Sequence, residues 1–246
     1  MREHDESTLA GRISLWIRKR VDDAGADGVV FGLSGGIDSS VVAALAKMAV
    51  GRKALGLILP CHSSPESAEH ARIVARRFSI DTAAVDLTSV HDELLRQLPG
   101  GEGMALVNLR PRLRMTVLYY YANLYNRLVL GTSNRNETMV GYFTKWGDGA
   151  ADLQPIGSLY KAQIRKLAKE LAIPMEIMEK PPTADLWEGQ TDEQELGLSY
   201  DDLDAILPAI ESGKVSGLSP EKVARVKSLI AQSEHKRRPA PVFRDE

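Results

Sequence analysis

The run Gly32-Leu33-Ser34-Gly35-Gly36-Ile37-Asp38-Ser39-Ser40 places two adjacent glycines, three hydroxyls and one carboxylate within nine positions. An apolar stretch, Gly28-Val29-Val30-Phe31, precedes it, and another, Val41-Val42-Ala43-Ala44-Leu45, follows. That order predicts strand, glycine-rich turn, helix. A helix N-terminus offers unpaired backbone N–H groups and partial positive charge, and glycines let those groups approach an anion closely. The chemistry is phosphate binding. Asp38 sharpens it, because a carboxylate beside a polyphosphate repels it unless a divalent cation lies between them, and Mg²⁺ commonly bridges carboxylates and phosphates. The loop therefore reads as a site for a nucleotide with Mg²⁺. The plainer alternative is a tight turn with a serine cap.

Two other phosphate motifs are excluded. No Gly-Lys-Ser/Thr marks a Walker A loop, and no G-x-G-x-x-G marks a dinucleotide fingerprint. Gly32-Leu33-Ser34-Gly35-Gly36 does satisfy G-x-S-x-G, the nucleophile elbow of α/β-hydrolases, which would make Ser34 a nucleophile. That rival needs several strands before the elbow, and only about one precedes Ser34. It also needs His235 as base, inside a basic tail beside Lys236.

The elements around the loop follow from periodicity. Leu9, Ile13, Trp16, Ile17 and Val21 recur at helical spacing, predicting an amphipathic helix over 7–24. Strands are predicted at 28–33, 54–59, 82–86 and 128–131. Helices are predicted at 39–50, from Ser64-Pro65-Glu66 to about 78, at 88–97, at 104–127 and at 159–171. Strands alternating with helices argue for a doubly wound, mainly parallel α/β sheet with helices on both faces. Ligands of such sheets sit beyond the carboxyl ends of the strands. The Ser34 loop, Pro60-Cys61-His62, Asp86 and Thr132-Ser133-Asn134 all fall there. Residues 141–157 show no clear period, 181–200 are acidic and broken by proline and glycine, and the tail from Glu234 is basic and irregular. No linker marks a second domain, so 1–246 reads as a single domain with a tail at 234–246.

Composition narrows the class. The chain has 246 residues, 43% hydrophobic and 26% charged, with a formal net charge of −2. That is ordinary globular composition without the basic surplus of a nucleic-acid binder. A single cysteine permits no intrachain disulfide and fits a reducing compartment. The charged N-terminus does not resemble a signal peptide, and no apolar run approaches the roughly 18–20 residues needed to span a membrane. The expectation is a cytoplasmic protein with no nucleic-acid and no membrane partner.

Gly32 through Ser39 resembles the S-G-G-x-D-S pyrophosphate loop of the ATP pyrophosphatases, which include the GMP, asparagine and NAD synthetases. Gly131-Thr132, Glu137, the string from Tyr142 to Gly149 and Ala151-Asp152 are similar to NAD synthetases in particular. So are Lys180-Pro181-Pro182-Thr183-Ala184-Asp185-Leu186, Asp192-Glu193, Glu195-Leu196-Gly197 and Glu234-His235-Lys236-Arg237. The resemblance covers nearly the whole chain after residue 28. It implies an adenine nucleotide alpha hydrolase-like fold and the ammonia-dependent amidation of nicotinate adenine dinucleotide (deamido-NAD) to NAD⁺. In that reaction ATP adenylates the nicotinate carboxylate, pyrophosphate leaves, and ammonia displaces AMP.

The resemblance also implies roles. Gly32, Leu33, Ser34, Gly35, Gly36, Ile37, Asp38, Ser39, Thr132, Lys161 and Thr183 would contact ATP. Asp38 and Glu137 would hold Mg²⁺ and, with Lys161, form the catalytic group. Arg112, Lys145, Asp152, His235 and Lys236 would contact deamido-NAD. A homodimer is implied, and the tyrosine-rich 104–127 helix has apolar surface to spare for one. Residue types alone are less specific. Lys161 at a helix start opposes the helix dipole, a conflict that a phosphate ligand would remove. Glu137 reads as a solvated helix residue, Thr132 as a cap, Arg112 as one arginine among three, and His235-Lys236 as a frayed end. Lys145, Asp148 and Asp152 read as soluble loop. Tyr142, Phe143 and Trp146 either stack on a ring or pack, with packing favoured for at least one. Cys61 beside His62 reads as structural, because adjacent side chains at a strand end point apart. Segments 141–152 and 184–195 have the composition of mobile lids.

Overall fold

The computed structural model describes residues 6–183 and 189–244. Helix α1 (Leu9–Asp23) opens the chain, with Thr8 as its N-cap. Among the described residues, one sheet is built from β1 (Gly28–Gly32), β2 (Ala54–Ile58), β3 (Asp81–Ala84) and β4 (Arg127–Leu130). Its order is β3-β2-β1-β4, with every neighbouring pair parallel. Helices α2 (Ile37–Val50), α3 (Pro65–Phe78) and, after β3, α4 (Thr88–Gln97), α5 (Met104–Val107) and α6 (Leu109–Leu124) make the crossovers. The chain steps outward from β1 to β3 and then returns to the other side of β1. That reversal creates a crevice at the carboxyl ends of β1 and β4, the usual ligand position in an open α/β sheet.

Strand side chains alternate between two cores. Val29, Phe31 and Leu130 pack with Val41, Val42 and Leu45 of α2 and with Ile17 of α1. Val30, Leu57 and Val129 face the other way, against Ala122 and Leu118 of α6. Both faces of the central strands are dry, which is why their sequences are continuous apolar runs. The edge strand β3 is mostly exposed and its sequence correspondingly mixed.

The remaining elements are α7 (Arg135–Val140), α8 (Lys161–Glu170), α9 (Met175–Met178), α10 (Asp192–Leu196), α11 (Tyr200–Glu211), α12 (Pro220–Gln232) and α13 (Glu234–Arg237). α8 packs on α2 and joins the first core through Ile164 and Leu167. α7, α10, α11 and α12 enclose a third core of Val140, Leu196, Leu203, Ile206, Val223 and Val226. Residues 201–232 carry no element in the sequence reading, yet Ser199 and Ser219 each cap a helix there. The long helix expected over 104–127 is two helices joined at Asn108, and β4 starts at Arg127. Pro111 explains the break: its ring would clash with the carbonyl four residues back if the helix ran through. Asn108 is held instead by the Thr144 hydroxyl, which donates to its Oδ1 at 2.6 Å.

Candidate active site

The loop after β1 is shaped by its glycines and serines. Gly35 adopts φ +82°, and a Cβ there would lie 2.4 Å from the Ser67 carbonyl oxygen, so no other residue fits. Gly36 is the N-cap of α2 and supplies no side-chain cap. The hydroxyls of Ser39 and Ser40 donate to the Gly36 carbonyl at 3.0 and 2.7 Å, and the Ser34 N–H donates to Ser39 Oγ at 3.3 Å. The loop is thus held from within, and the N-terminus of α2 points toward the crevice. Ser34 Oγ lies 3.0 Å from Ser39 Oγ, and among the described residues no histidine hydrogen-bonds it. The nucleophile-elbow reading therefore fails on geometry.

The loop forms one side of a cavity of about 370 Å³. Gly32, Leu33, Ser34, Gly36, Ile37, Asp38 and Ser39 line it, as do Thr132, Glu137, Lys161, Thr183 and Lys236. Gly35 shapes the loop from behind. Residues Ala184, Asp185 and Leu186 lie outside the described residues, as does the start of the 184–195 segment.

A charged cluster sits beneath the loop. Lys161 opens α8 and is only 2% exposed. Its ammonium pairs with Asp38 Oδ2 and lies 4.7 Å from the centre of the Tyr200 ring. Asn134 caps α7 in a capping box with Glu137: Asn134 Oδ1 accepts the Glu137 N–H at 3.0 Å, and Glu137 Oε2 accepts the Asn134 N–H at 3.2 Å. The same Asn134 side chain donates to Glu137 Oε1 at 2.7 Å and reaches Asp38 Oδ1 at 3.4 Å. One amide thereby draws both carboxylates together. The Tyr200 hydroxyl touches Glu137 Oε1 at 3.2 Å and Asp192 Oδ2 at 2.9 Å, and the Tyr142 hydroxyl reaches Asp192 Oδ1 at 3.1 Å.

The electrostatics follow from this crowding. Burial, reinforced by the neighbouring Asp38 charge, pushes the Glu137 carboxyl up to about 8. Burial also raises Asp192, against the Tyr200 hydrogen bond and the Lys161 charge. Burial opposes the charge on Lys161, but Asp38 and Glu137 outweigh it and its pKa is raised. Asp38, Glu137 and Asp192 face one buried ammonium, so the cluster holds more acid groups than cations, and a bound cation would favour their ionised forms. Carboxylate oxygen donors suit Mg²⁺, whereas a zinc site would bring nitrogen or sulfur ligands.

The residues expected on the dinucleotide side divide. Lys236 lines the cavity, donating to the carbonyls of Gly141 and Phe143 at 2.8 and 2.9 Å. Arg112, Lys145, Asp152 and His235 do not line it. Arg112 donates to the Lys145 carbonyl at 3.4 Å, and the Lys145 ammonium donates to the His235 carbonyl at 2.6 Å, so these residues form a chain along the surface. Asp152 lies beside β4, accepting the Val129 N–H at 2.7 Å and the Tyr119 hydroxyl at 3.3 Å. The aromatics part company too: Trp146 is 59% exposed, while Tyr142 and Phe143 are half-buried in the cavity wall. Segment 141–152 is braced, with Gly147 and Gly149 N–H groups on the Thr144 carbonyl and the Thr144 N–H on Asp148.

Sequence reasoning missed Tyr200 and Arg114. Tyr200 sits on a helical apolar face and looks like plain core. Arg114 donates to the Leu59 carbonyl and the Ser63 hydroxyl, tying α6 to the loop after β2. Asn134 falls at the ligand edge in the sequence, and its link to Glu137 was also legible there, because Asn134-x-x-Glu137 is a capping-box spacing.

A glycine-shaped loop opening an uncapped helix at the switch point of a parallel sheet, above a buried lysine and carboxylates, defines an α/β protein of the nucleotide-phosphate-binding class. A family model described as NAD synthase matches residues 9–240. The NH(3)-dependent NAD(+) synthetase of Methanocaldococcus jannaschii is 46% identical over 93% of this chain and 93% of that one. The Carboxydothermus hydrogenoformans enzyme of the same name is also 46% identical, over 91% of each. Among solved structures, NMN synthetase from Francisella tularensis superposes with a TM-score of 0.89 at 35% identity, covering 96% of this chain and 97% of that one. NH3-dependent NAD synthetase from Campylobacter jejuni gives 0.85 at 30% identity, covering 98% and 100%. The chain belongs to the NAD synthase family.

Proposed function

We propose that this chain is an ammonia-dependent NAD⁺ synthetase, amidating deamido-NAD at the expense of ATP in the last step of NAD⁺ formation. The observation that carries the reading is the Asp38–Lys161 pair at the root of the glycine loop, with Glu137 drawn to the same point by Asn134. A carboxylate is a poor electrophile toward ammonia. Adenylation converts one of its oxygens into a leaving group: that oxygen attacks the α-phosphorus of ATP, the α–β phosphoanhydride bond breaks, and pyrophosphate departs. Ammonia then adds to the acyl carbon, and AMP leaves with the former carboxylate oxygen. No protein nucleophile is needed.

In this reading residues 32–39 hold the ATP phosphates, with Thr132 and Thr183 at the nucleotide. Lys161 supplies fixed positive charge from a buried position, where screening by water is weak and it acts strongly on developing phosphate charge. Asp38 and Glu137 would hold Mg²⁺, whose charge would offset that of the ATP phosphates. Arg112, Lys145, Asp152, His235 and Lys236 hold deamido-NAD. Four of these lie outside the cavity, on the outward face of the molecule, where a partner copy or a long dinucleotide can meet them. The exposed Tyr120, Leu124 and Tyr125 on and after α6 support a homodimer through that helix. We read 1–246 as one domain with a tail at 234–246. A cytoplasmic location accords with the single buried cysteine, and no described helix is long and apolar enough to cross a membrane.

The decisive assay combines the protein with deamido-NAD, ATP, Mg²⁺ and ammonium. NAD⁺, AMP and pyrophosphate should appear in equal amounts, and ADP with inorganic phosphate would overturn the mechanism. The likeness to an NMN synthetase structure supports a second reading, in which nicotinate mononucleotide is the acceptor. Comparing kcat/KM for the mononucleotide and the dinucleotide decides between them.

A further inference from the structure

On the far side of the loop after β2 lies a second group of ligand-type side chains, separate from the cavity. His62 lies within that loop at φ +51°, and its N–H donates to the Thr88 hydroxyl at 3.2 Å. His91 and Asp92 are neighbours on α4. His62 Nε2 lies 2.7 Å from Asp92 Oδ1, and His91 Nδ1 lies 3.1 Å from the same oxygen. The two imidazoles meet edge to face, with centres 5.2 Å apart. One ligand atom from each of the three residues falls within 4.8 Å of the others.

His91 makes this more than a surface ion pair. It is only 4% exposed, and its Nε2 has no hydrogen-bond partner among the described residues. The nitrogen that meets Asp92 is Nδ1, so Nδ1 is the atom that can offer a lone pair to a shared ion, with the ring proton carried on Nε2. Histidine is the commonest metal-ligating side chain, and burial holds this ring in place.

We propose that His62, His91 and Asp92 bind one divalent first-row transition-metal ion of the zinc type, clasping the loop after β2 to α4. Two imidazoles and one carboxylate match zinc, cobalt or nickel and not Mg²⁺, which takes oxygen ligands. Three protein ligands leave a position for water. Among the described residues none of the three lines the nucleotide cavity, so the ion is not part of the transfer chemistry. The loop it holds is nevertheless shared: Ser63, next to His62, lines the cavity and accepts from Arg114 at 2.9 Å. Occupancy therefore braces one wall of the nucleotide site.

The test is a Co²⁺ titration of chelator-stripped, untagged protein in excess Mg²⁺, which keeps the oxygen-donor cluster filled. One equivalent should bind with the intense visible absorption of a low-coordinate nitrogen-containing site and be displaced by Zn²⁺. His62→Ala and Asp92→Asn, both at exposed side chains, should each weaken Co²⁺ binding at least about tenfold, the scale set by even outer-shell losses. Zn²⁺ should raise the Tm of the parent protein and not of His62→Ala. His91→Gln is a further arm, read by the same absorption if it folds. No stoichiometric Co²⁺ binding, or equal binding by the parent protein and the two exposed variants, overturns the proposal.

Discussion

The root of the phosphate loop and the surface around Lys145 are both rich in charge, but they are held in opposite ways. At the loop root a buried ammonium, three carboxylates and two tyrosine hydroxyls satisfy one another side chain to side chain. Around Lys145 the cations are accessible and satisfied by backbone carbonyls: Arg112 by Lys145, Lys145 by His235, Lys236 by Gly141 and Phe143. The first arrangement is preorganised and loses heavily when any member is removed. The second is a set of replaceable contacts, each of which an incoming polar ligand can take over at small net cost. Catalytic groups fit the first arrangement, and reversible substrate contacts fit the second.

Removing Lys161 should break the comparison most severely. In Lys161→Met, Asp38, Glu137 and Asp192 confront each other with no buried cation. Loss of one partner of a buried pair costs about 3–5 kcal/mol, and loss of a preorganised charge-stabilising group costs on the order of 10²–10³ in turnover. Denaturant unfolding and steady-state NAD⁺ formation should both report it. A variant that is stable but inactive would separate the structural from the catalytic share.

The next test uses proton linkage in the presence of a chelator. Glu137 is raised from 4.5 toward about 8 in the folded protein, chiefly by burial and then by Asp38. Between those values the folded state binds a proton that the unfolded state has lost, so the contribution of Glu137 to stability is greatest at and below about pH 4.5 and is lost as pH rises toward 8. Denaturant midpoints across that range measure the slope. Glu137→Gln should flatten it, while depressing turnover strongly at neutral pH. A slope unchanged in Glu137→Gln would mean that another group carries the linkage.

The surface around Lys145 should respond more gently. Lys145→Ala and Arg112→Ala each remove one charged contact, and KM for deamido-NAD should rise about tenfold with kcat changing less, the pattern of lost uniform binding. Tm should hardly move. A large loss of kcat with unchanged KM would place these residues with Lys161.

How legible each region was in the sequence follows the same division. The sheet, its order of elements and the loop were readable because continuous apolar runs and a glycine-serine string obey local rules. Asp38 was readable as a carboxylate out of place beside a phosphate site. Lys161 was ambiguous, because its 2% exposure depends on α8 docking against α2, a long-range fact. Tyr200 was invisible for the same reason: its ring packs in the third core while its hydroxyl serves the charged cluster. The break at Asn108 was signalled by Pro111, but the aliphatic and aromatic pattern running through it masks the boundary. The residues proposed to hold deamido-NAD gave no local signal, and only the resemblance named them.

The smallest expected effect concerns the single cysteine. Glutamine hydrolysis needs a thiolate, and Cys61 is the sole thiol in the sequence. It is fully buried, its thiol lies 3.9 Å from the Leu87 carbonyl, and burial raises its pKa despite the nearby Arg114 and Arg110. Raising the pKa lowers the thiolate fraction at neutral pH, which is the reverse of nucleophile activation. His62 follows it in sequence but is bound to Asp92 on the other side of the loop. The purified chain should therefore use ammonium, ignore glutamine, and keep both properties in Cys61→Ser, with only a slight loss of stability from placing a hydroxyl in an apolar site. Glutamine-dependent NAD⁺ formation that disappears in Cys61→Ser would show a nucleophile where burial and pKa argue against one. The proposed division between a preorganised phosphate side and an adaptable substrate side would then need a third, amide-hydrolysing region.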